Sequence, residues 1–190
     1  MSRSFREVLS EHVAVIQQLE AAEGTLDQMA ARMIRCIEDG GTIYIFGNGG
    51  SAADAEHIAT ELLGRFKLDR RGLPALALSA NTSTMTAVGN DLGFETVFSR
   101  QLEALLRDGD IAWAISTSGN SPNVLRAIDV AKGRGAAVIG FTGRTGGEMA
   151  SRCDLTLHVA HDKSDRIQEG HELAYHYLCE RIEAHFADTQ

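Results

Sequence analysis

The stretch Thr42-Ile43-Tyr44-Ile45-Phe46-Gly47-Asn48-Gly49-Gly50-Ser51-Ala52-Ala53-Asp54 decides the fold. Its first five residues are β-branched or aromatic and suit a buried strand. The glycines at 47, 49 and 50 let the backbone turn tightly and come close to a ligand, and a helical pattern then runs over about 51–66. A strand that passes through a glycine loop into a helix N-terminus aims several N–H groups at one point, which is how proteins hold small anions.

Working outward, the same alternation repeats. Short apolar runs at 74–79, 111–116, 136–142 and 155–159 read as further strands. Between them lie helical patterns at about 82–106 (broken around Gly89–Gly93), at 122–133 with Pro122 near its first position, and near 147–152, and a long helix over about 163–186 closes the chain. Strands that alternate with helices and read apolar on both faces predict a parallel sheet covered on both sides. The expected fold is α/β: a flavodoxin-like three-layer αβα sandwich whose five strands run in the order 2-1-3-4-5, with ligands at the carboxyl ends of strands 1 and 3. Two extra helices precede it. Residues 4–22 place Val8, Leu9, His12, Val13, Ile16 and Leu19 on one face, and Thr25 is the expected N-cap of a second helix that Gly40-Gly41 ends. The whole of 1–190 reads as one domain, with 1–38 packing an oligomer and 39–190 forming the α/β core and C-terminal helix.

The loop after the third strand is Ser116-Thr117-Ser118-Gly119-Asn120-Ser121. A plain N-cap needs one hydroxyl; this loop offers four at a helix N-terminus, a neutral cradle for phosphate. The first loop formally matches G-x-G-x-x-A, but the next strand ends Leu78-Ser79-Ala80-Asn81, without the carboxylate that holds a dinucleotide ribose. There is no G-K-[ST] either, so a phosphorylated ligand without a nucleotide base fits best.

Bulk composition agrees. At 190 residues, 44% hydrophobic and 23% charged, the chain is long enough for one core and is not biased toward disorder. Its net charge of −8 argues against nucleic acid as a partner, and no apolar run is long enough to span a membrane. The cluster Lys67, Arg70 and Arg71 is short. Cys36, Cys153 and Cys179 form no motif, and the N-terminal residues carry no export pattern, so a cytoplasmic protein is expected.

From about Ile37 to Ala184 the sequence resembles the sugar isomerase (SIS) domain family, and within it the phosphoheptose isomerases. The residues that carry the likeness are Gly47-Asn48-Gly49-Gly50-Ser51, Asp54-Ala55-Glu56-His57 with Glu61-Leu62, Gly89-Asn90-Asp91, the loop 116–121 and Arg166-Ile167-Gln168-Glu169. The resemblance implies a zinc-dependent homotetramer with active sites between subunits. It implies conversion of sedoheptulose 7-phosphate to D-glycero-D-manno-heptose 7-phosphate, the first step toward ADP- or GDP-heptose for surface glycans such as lipopolysaccharide. It also implies substrate contacts by Asn48, Gly49, Gly50, Glu61, Asn90, Asp91 and Gln168, a phosphate held by Ser116, Thr117, Ser118 and Ser121, and a metal and catalytic set of His57, Glu61, Gln168 and His176.

Moving a carbonyl between neighbouring carbons needs a base, an acid and a way to stabilise an ene-diolate. His57 and Glu61 are four apart on one helix face, a spacing that suits a metal or a base beside an electrophile. Glu61 is the expected base, and His176 the acid or its partner in holding zinc. Were zinc to take both, neither would be free for proton transfer, and the metal would act as a Lewis acid. Glu172 and His176 form a second pair at that spacing, the weaker metal candidate; Arg65 and Asp165 are candidates to orient substrate. His12, His158, His161, His171 and His185 are expected at surfaces or interfaces without matched partners. Gln168 and His176 stand eight residues apart, about 12 Å along a helix, so His176 is expected from a neighbouring subunit. The rivals are another sugar-phosphate isomerase on this scaffold and a non-catalytic SIS-domain binder resembling the DnaA initiator-associating protein. The presence of both Glu61 and His176 favours the enzyme.

Overall fold

The central strand, β3 (Ile111–Ser116), pairs in parallel with β1 (Ile43–Gly47) on one side and β4 (Ala137–Thr142) on the other. Outside these lie β2 (Ala75–Ala77) against β1 and β5 (Leu155–His158) against β4, giving the order β2-β1-β3-β4-β5 that the sequence predicts. This is a computed structural model, and it describes residues 3–187.

Helices cover both faces. The alternation of side chains along a strand decides which layer each residue joins. Ile43, Ile45, Trp113 and Ile139 face one core, shared with α2 (Glu23–Glu38), α3 (Gly50–Leu63) and α8 (Ser164–Ala187). Tyr44, Phe46, Ala112 and Val138 face the other, shared with α5 (Ser99–Leu105), α6 (Pro122–Gly133) and the short α7 (Met149–Arg152). Before α5 come α4 (Thr82–Leu92) and a 3-10 turn, Phe94–Thr96, divided at Gly93, whose φ of 90° no helix continues. No helix among the described residues is long and apolar enough to cross a membrane.

Several expectations are corrected. The first helix, α1 (Phe5–Gln18), gives way to a 3-10 turn at Leu19–Ala22, and α2 begins at Glu23, so Thr25 lies inside it rather than capping it. The anticipated apolar face of this segment splits: Leu19 is buried, while Leu9 is 48% exposed and Val13 43%, and of the residues outside that face Val15 is buried and Phe5 is 80% exposed. Strand β2 is shorter than the run 74–79, because Pro74 has no N–H for the ladder and the chain turns at Ala80, whose N–H bonds the Ala77 carbonyl at 3.2 Å. α1 docks on α8 through polar contacts. His12 Nδ1 lies 2.7 Å from Glu169 Oε2, and the buried Arg166 donates to the Val8 carbonyl at 3.1 Å.

Candidate active site

The two loops stand side by side at the carboxyl ends of β1 and β3, as the strand order dictates. Between them is a cavity of about 200 Å³ lined by Asn48, Ser51, Ser116, Thr117, Ser121 and Gln168, with Ile115 and Ser164. Its wall is rich in hydroxyls. Ser116 Oγ lies 2.9 Å from Ser121 Oγ and 3.4 Å from Ser118 Oγ, and Thr117 Oγ1 lies 3.2 Å from Ser164 Oγ. At Gly119, φ is 66° and an added Cβ would strike the Gly146 carbonyl, so only glycine lets this loop close. Gly50 packs directly under the Gln168 amide, and a side chain there would drive Gln168 out of the cavity.

Three residues at or beside the cavity were given no role of their own in the sequence reading. Asn123 is buried in the first turn of α6 and exchanges amide hydrogen bonds with Asn48 at 2.8 and 2.9 Å, which fixes Asn48 at the mouth of the first loop. Its only sequence signal was an amide among apolar helix residues. Ser164 and Ser51 complete the hydroxyl lining, but serines at helix starts are too common to single out. Asn90 and Asp91 are not brought to this cavity: they bond each other at 2.7 Å on the exposed end of α4.

Beyond the cradle along α3 lies a second group. His57 Nε2 is 3.0 Å from Glu61 Oε1, and its Nδ1 is 2.9 Å from the buried Tyr175 hydroxyl. His176 comes from α8 of the same chain, its ring centroid 5.1 Å from that of His57 and stacked on Phe66 at 5.5 Å. The expectation that His176 reaches this group from a neighbour is therefore corrected: helix–helix packing between α3 and α8 joins the two histidines within one chain. Gln168, two turns away, remains in the cradle. Ligand atoms of His57, Glu172 and His176 all lie within 4.8 Å of one another.

The electrostatics of this wall are acidic. Burial, and then the nearby Glu172 carboxylate, push the Asp54 carboxyl up to about 6 against the pull of His57. Asp54 Oδ2 is buried without a hydrogen-bond partner. Burial, then Asp54 and Glu172, raise the Tyr175 phenol, so it stays protonated at its bond to His57.

A support lies behind the wall. Arg70 is buried, not part of a basic surface cluster, and its guanidinium donates to the carbonyls of Glu61, Leu62 and Gly64 at 2.7–2.9 Å, capping α3. The buried Glu183 lies 3.4 Å from Arg70 and accepts the N–H groups of Phe66, Lys67 and Leu68. Burial opposes its ionisation, but those N–H groups and Arg70 together hold its carboxyl below the usual range. Neither residue was legible in advance as a support. Of the remaining histidines, His171 is fully buried under β4 with Nε2 3.2 Å from the Thr142 carbonyl, contrary to its expected surface place, because it falls on the core face of α8. His161 and His185 meet Glu11 and Glu38.

A parallel α/β sheet with a hydroxyl cradle at its switch point and a histidine–carboxylate group nearby matches one class of protein. The chain belongs to the SIS domain family, whose model matches residues 7–143. Within that family it is similar to proteins named phosphoheptose isomerase. The one from Trichlorobacter lovleyi is 48% identical over 92% of this chain and 90% of that protein. The solved phosphoheptose isomerase of Neisseria gonorrhoeae superposes with a TM-score of 0.90 at 42% identity, covering 94% of this chain and 96% of that one. The structure of the Francisella tularensis phosphoheptose isomerase gives 0.88 at 37% identity, over 96% and 100%.

Proposed function

We propose that this protein isomerises sedoheptulose 7-phosphate to D-glycero-D-manno-heptose 7-phosphate, an aldose–ketose isomerisation that opens a route to activated heptose. The observation that carries this reading is the layout along α3. A phosphate cradle sits at its N-terminus, and a carboxylate beside two imidazoles sits further along. Ser51 and His57 are six residues apart, about 9 Å along the axis. A ketose 7-phosphate has the same polarity, with its anion at one end and its reacting carbonyl at the other.

Thr117, Ser118, Ser121 and the N–H groups at the start of α6 hold the phosphate, and Asn48, Gly49, Gly50 and Gln168 line the path of the carbon chain. Asn90 and Asp91, exposed on α4, are the further substrate contacts of this reading. The Glu61 carboxylate takes the proton from C1 and returns it to C2. His176 serves the oxygens, as an acid or as a ligand of zinc. The donor set fits such an ion, since His57 and His176 meet beside carboxylates and one buried carboxylate oxygen has no partner. When bound, zinc supplies a Lewis acid for the substrate carbonyl.

We further infer a homotetramer in the cytoplasm with sites at subunit interfaces; the exposed Phe5, Leu9 and Val13 on α1 support assembly. The direct test incubates the protein with a panel of phosphorylated ketoses and identifies products by NMR. Heptose 7-phosphate is expected from sedoheptulose 7-phosphate, and Glu61→Gln should abolish turnover while substrate still binds. Binding without product in the wild type would leave a sugar-phosphate-binding protein instead.

A further inference from the structure

We infer that Asn123 is a positioning residue for the sugar phosphate: it holds the Asn48 amide at the phosphate cavity, and without it Asn48 turns into a neighbouring space and the sugar is bound less tightly. This deepens the isomerase reading and rests on it in taking Asn48 as a contact of the carbon chain.

Asn48 needs holding because it borders two openings. One is the hydroxyl-lined cavity of about 200 Å³. The other, of about 270 Å³, abuts it and is lined by Asn48, Ser121, Pro122 and Asn123 together with Phe94 and Glu95 of the 3-10 turn. Asn48 and Ser121 belong to both walls. A short polar side chain between two openings has staggered orientations toward each, and its partners decide which one it keeps.

Asn123 makes that choice. Its Nδ2 donates to Asn48 Oδ1 at 2.8 Å, and Asn48 Nδ2 donates back to Asn123 Oδ1 at 2.9 Å. Two such bonds fix both the place and the face of an amide, whereas a single bond lets it rotate. Each group spends one N–H and one lone pair on the other, so Asn48 keeps a second N–H and a second lone pair for a ligand. The Asn123 end is the firm one. It is 3% exposed and follows Pro122, whose ring sets the first turn of α6. Asn48 is half-buried at the start of a loop. The pair therefore ties the loop after β1 to the helix after β3 across the switch point.

The phosphate end is held separately. Ser121, the N-cap of α6, makes no side-chain bond to its helix, and its hydroxyl lies 2.9 Å from Ser116 Oγ instead. The other hydroxyl contacts of the cradle join Ser116 to Ser118 and Thr117 to Ser164, without the amide pair. Loss of Asn123 should therefore be felt by the sugar and not by the phosphate.

The test compares the wild type, Asn123→Leu, Asn48→Ala and the double variant. Affinities for sedoheptulose 7-phosphate and for inorganic phosphate are measured by calorimetry, with isomerisation kinetics alongside and thermal melting as a check of the fold. Leucine is close to asparagine in size and has no hydrogen-bonding group; Asn123→Ala serves where leucine disturbs the packing. One neutral hydrogen bond lost to the ligand weakens binding roughly 3- to 10-fold. Asn123→Leu should show that loss for sedoheptulose 7-phosphate, as a raised KM with kcat little changed, while inorganic phosphate binds as it does to the wild type. Asn48→Ala should show the same loss, and the double variant no more than either single one, since Asn123 acts through Asn48. Unchanged sugar-phosphate affinity in both Asn123 variants overturns the positioning role. So does an equal weakening of inorganic phosphate, which marks a disturbed helix start, and so do losses that multiply in the double variant. Wild-type binding of sedoheptulose 7-phosphate without product overturns the isomerase reading, while the pattern of affinities still decides the role of Asn123. No binding of sedoheptulose 7-phosphate by the wild type overturns both.

Discussion

The fate of single side chains turned on which face of α8 they occupy. His171 lies on the inner face, where burial lowers its imidazole to about 4 from an ordinary 6.5. Between those values the unfolded chain binds a proton that the folded chain refuses. The stability held by neutral His171 is therefore complete above pH 6.5 and is lost as the pH falls toward 4, by of order 3 kcal/mol at the acid end. Urea midpoints measured at several pH values should show this loss, and His171→Leu should flatten that part of the profile. A variant whose profile parallels the wild type would mean that His171 is protonated in the fold or plays no part.

Among the elements, the end of α3 carries the most consequence for chemistry. Arg70 caps it and neutralises Glu183, which in turn ties down the segment that presents Phe66 to His176. Arg70→Met removes the cap and strands a buried carboxylate, a change that costs about 3–5 kcal/mol when one partner of a buried pair is lost. A large drop in thermal midpoint is expected, with reduced turnover even where the protein remains folded. Arg70→Met together with Glu183→Gln should recover part of the stability, since the stranded charge is then gone. If the single variant melts within a degree or two of the wild type, the pair is not what holds this corner.

For the whole molecule, the open question is what covers α1. Phe5, Leu9 and Val13 recur every four residues and leave an apolar stripe outside a helix that docks through Val15 and through polar contacts to α8. Leu9→Glu with Val13→Glu should leave the fold intact, because neither side chain enters the core, yet shift light-scattering mass from the proposed tetramer toward smaller species. An unchanged mass would move the interface elsewhere on the surface.

What the sequence determined by itself was everything written in local periodicity. The alternation of apolar runs and helical patterns yields five strands, the glycine and serine loops fall at strand ends, and five such strands suit the flavodoxin-like order that is found. Glu61 beside His57 was equally legible, since a spacing of four on one helix fixes neighbours without any tertiary knowledge. The tertiary structure alone decided which distant residues meet. His57 and His176 are separated by more than a hundred positions, and only the packing of α3 on α8 joins them to Glu172 and Tyr175 and leaves Gln168 at the cradle. Arg70 reads as one of a short basic cluster until the helices are placed, yet it is buried. Charge and hydropathy state what a side chain prefers, whereas burial depends on which neighbouring element arrives to cover it.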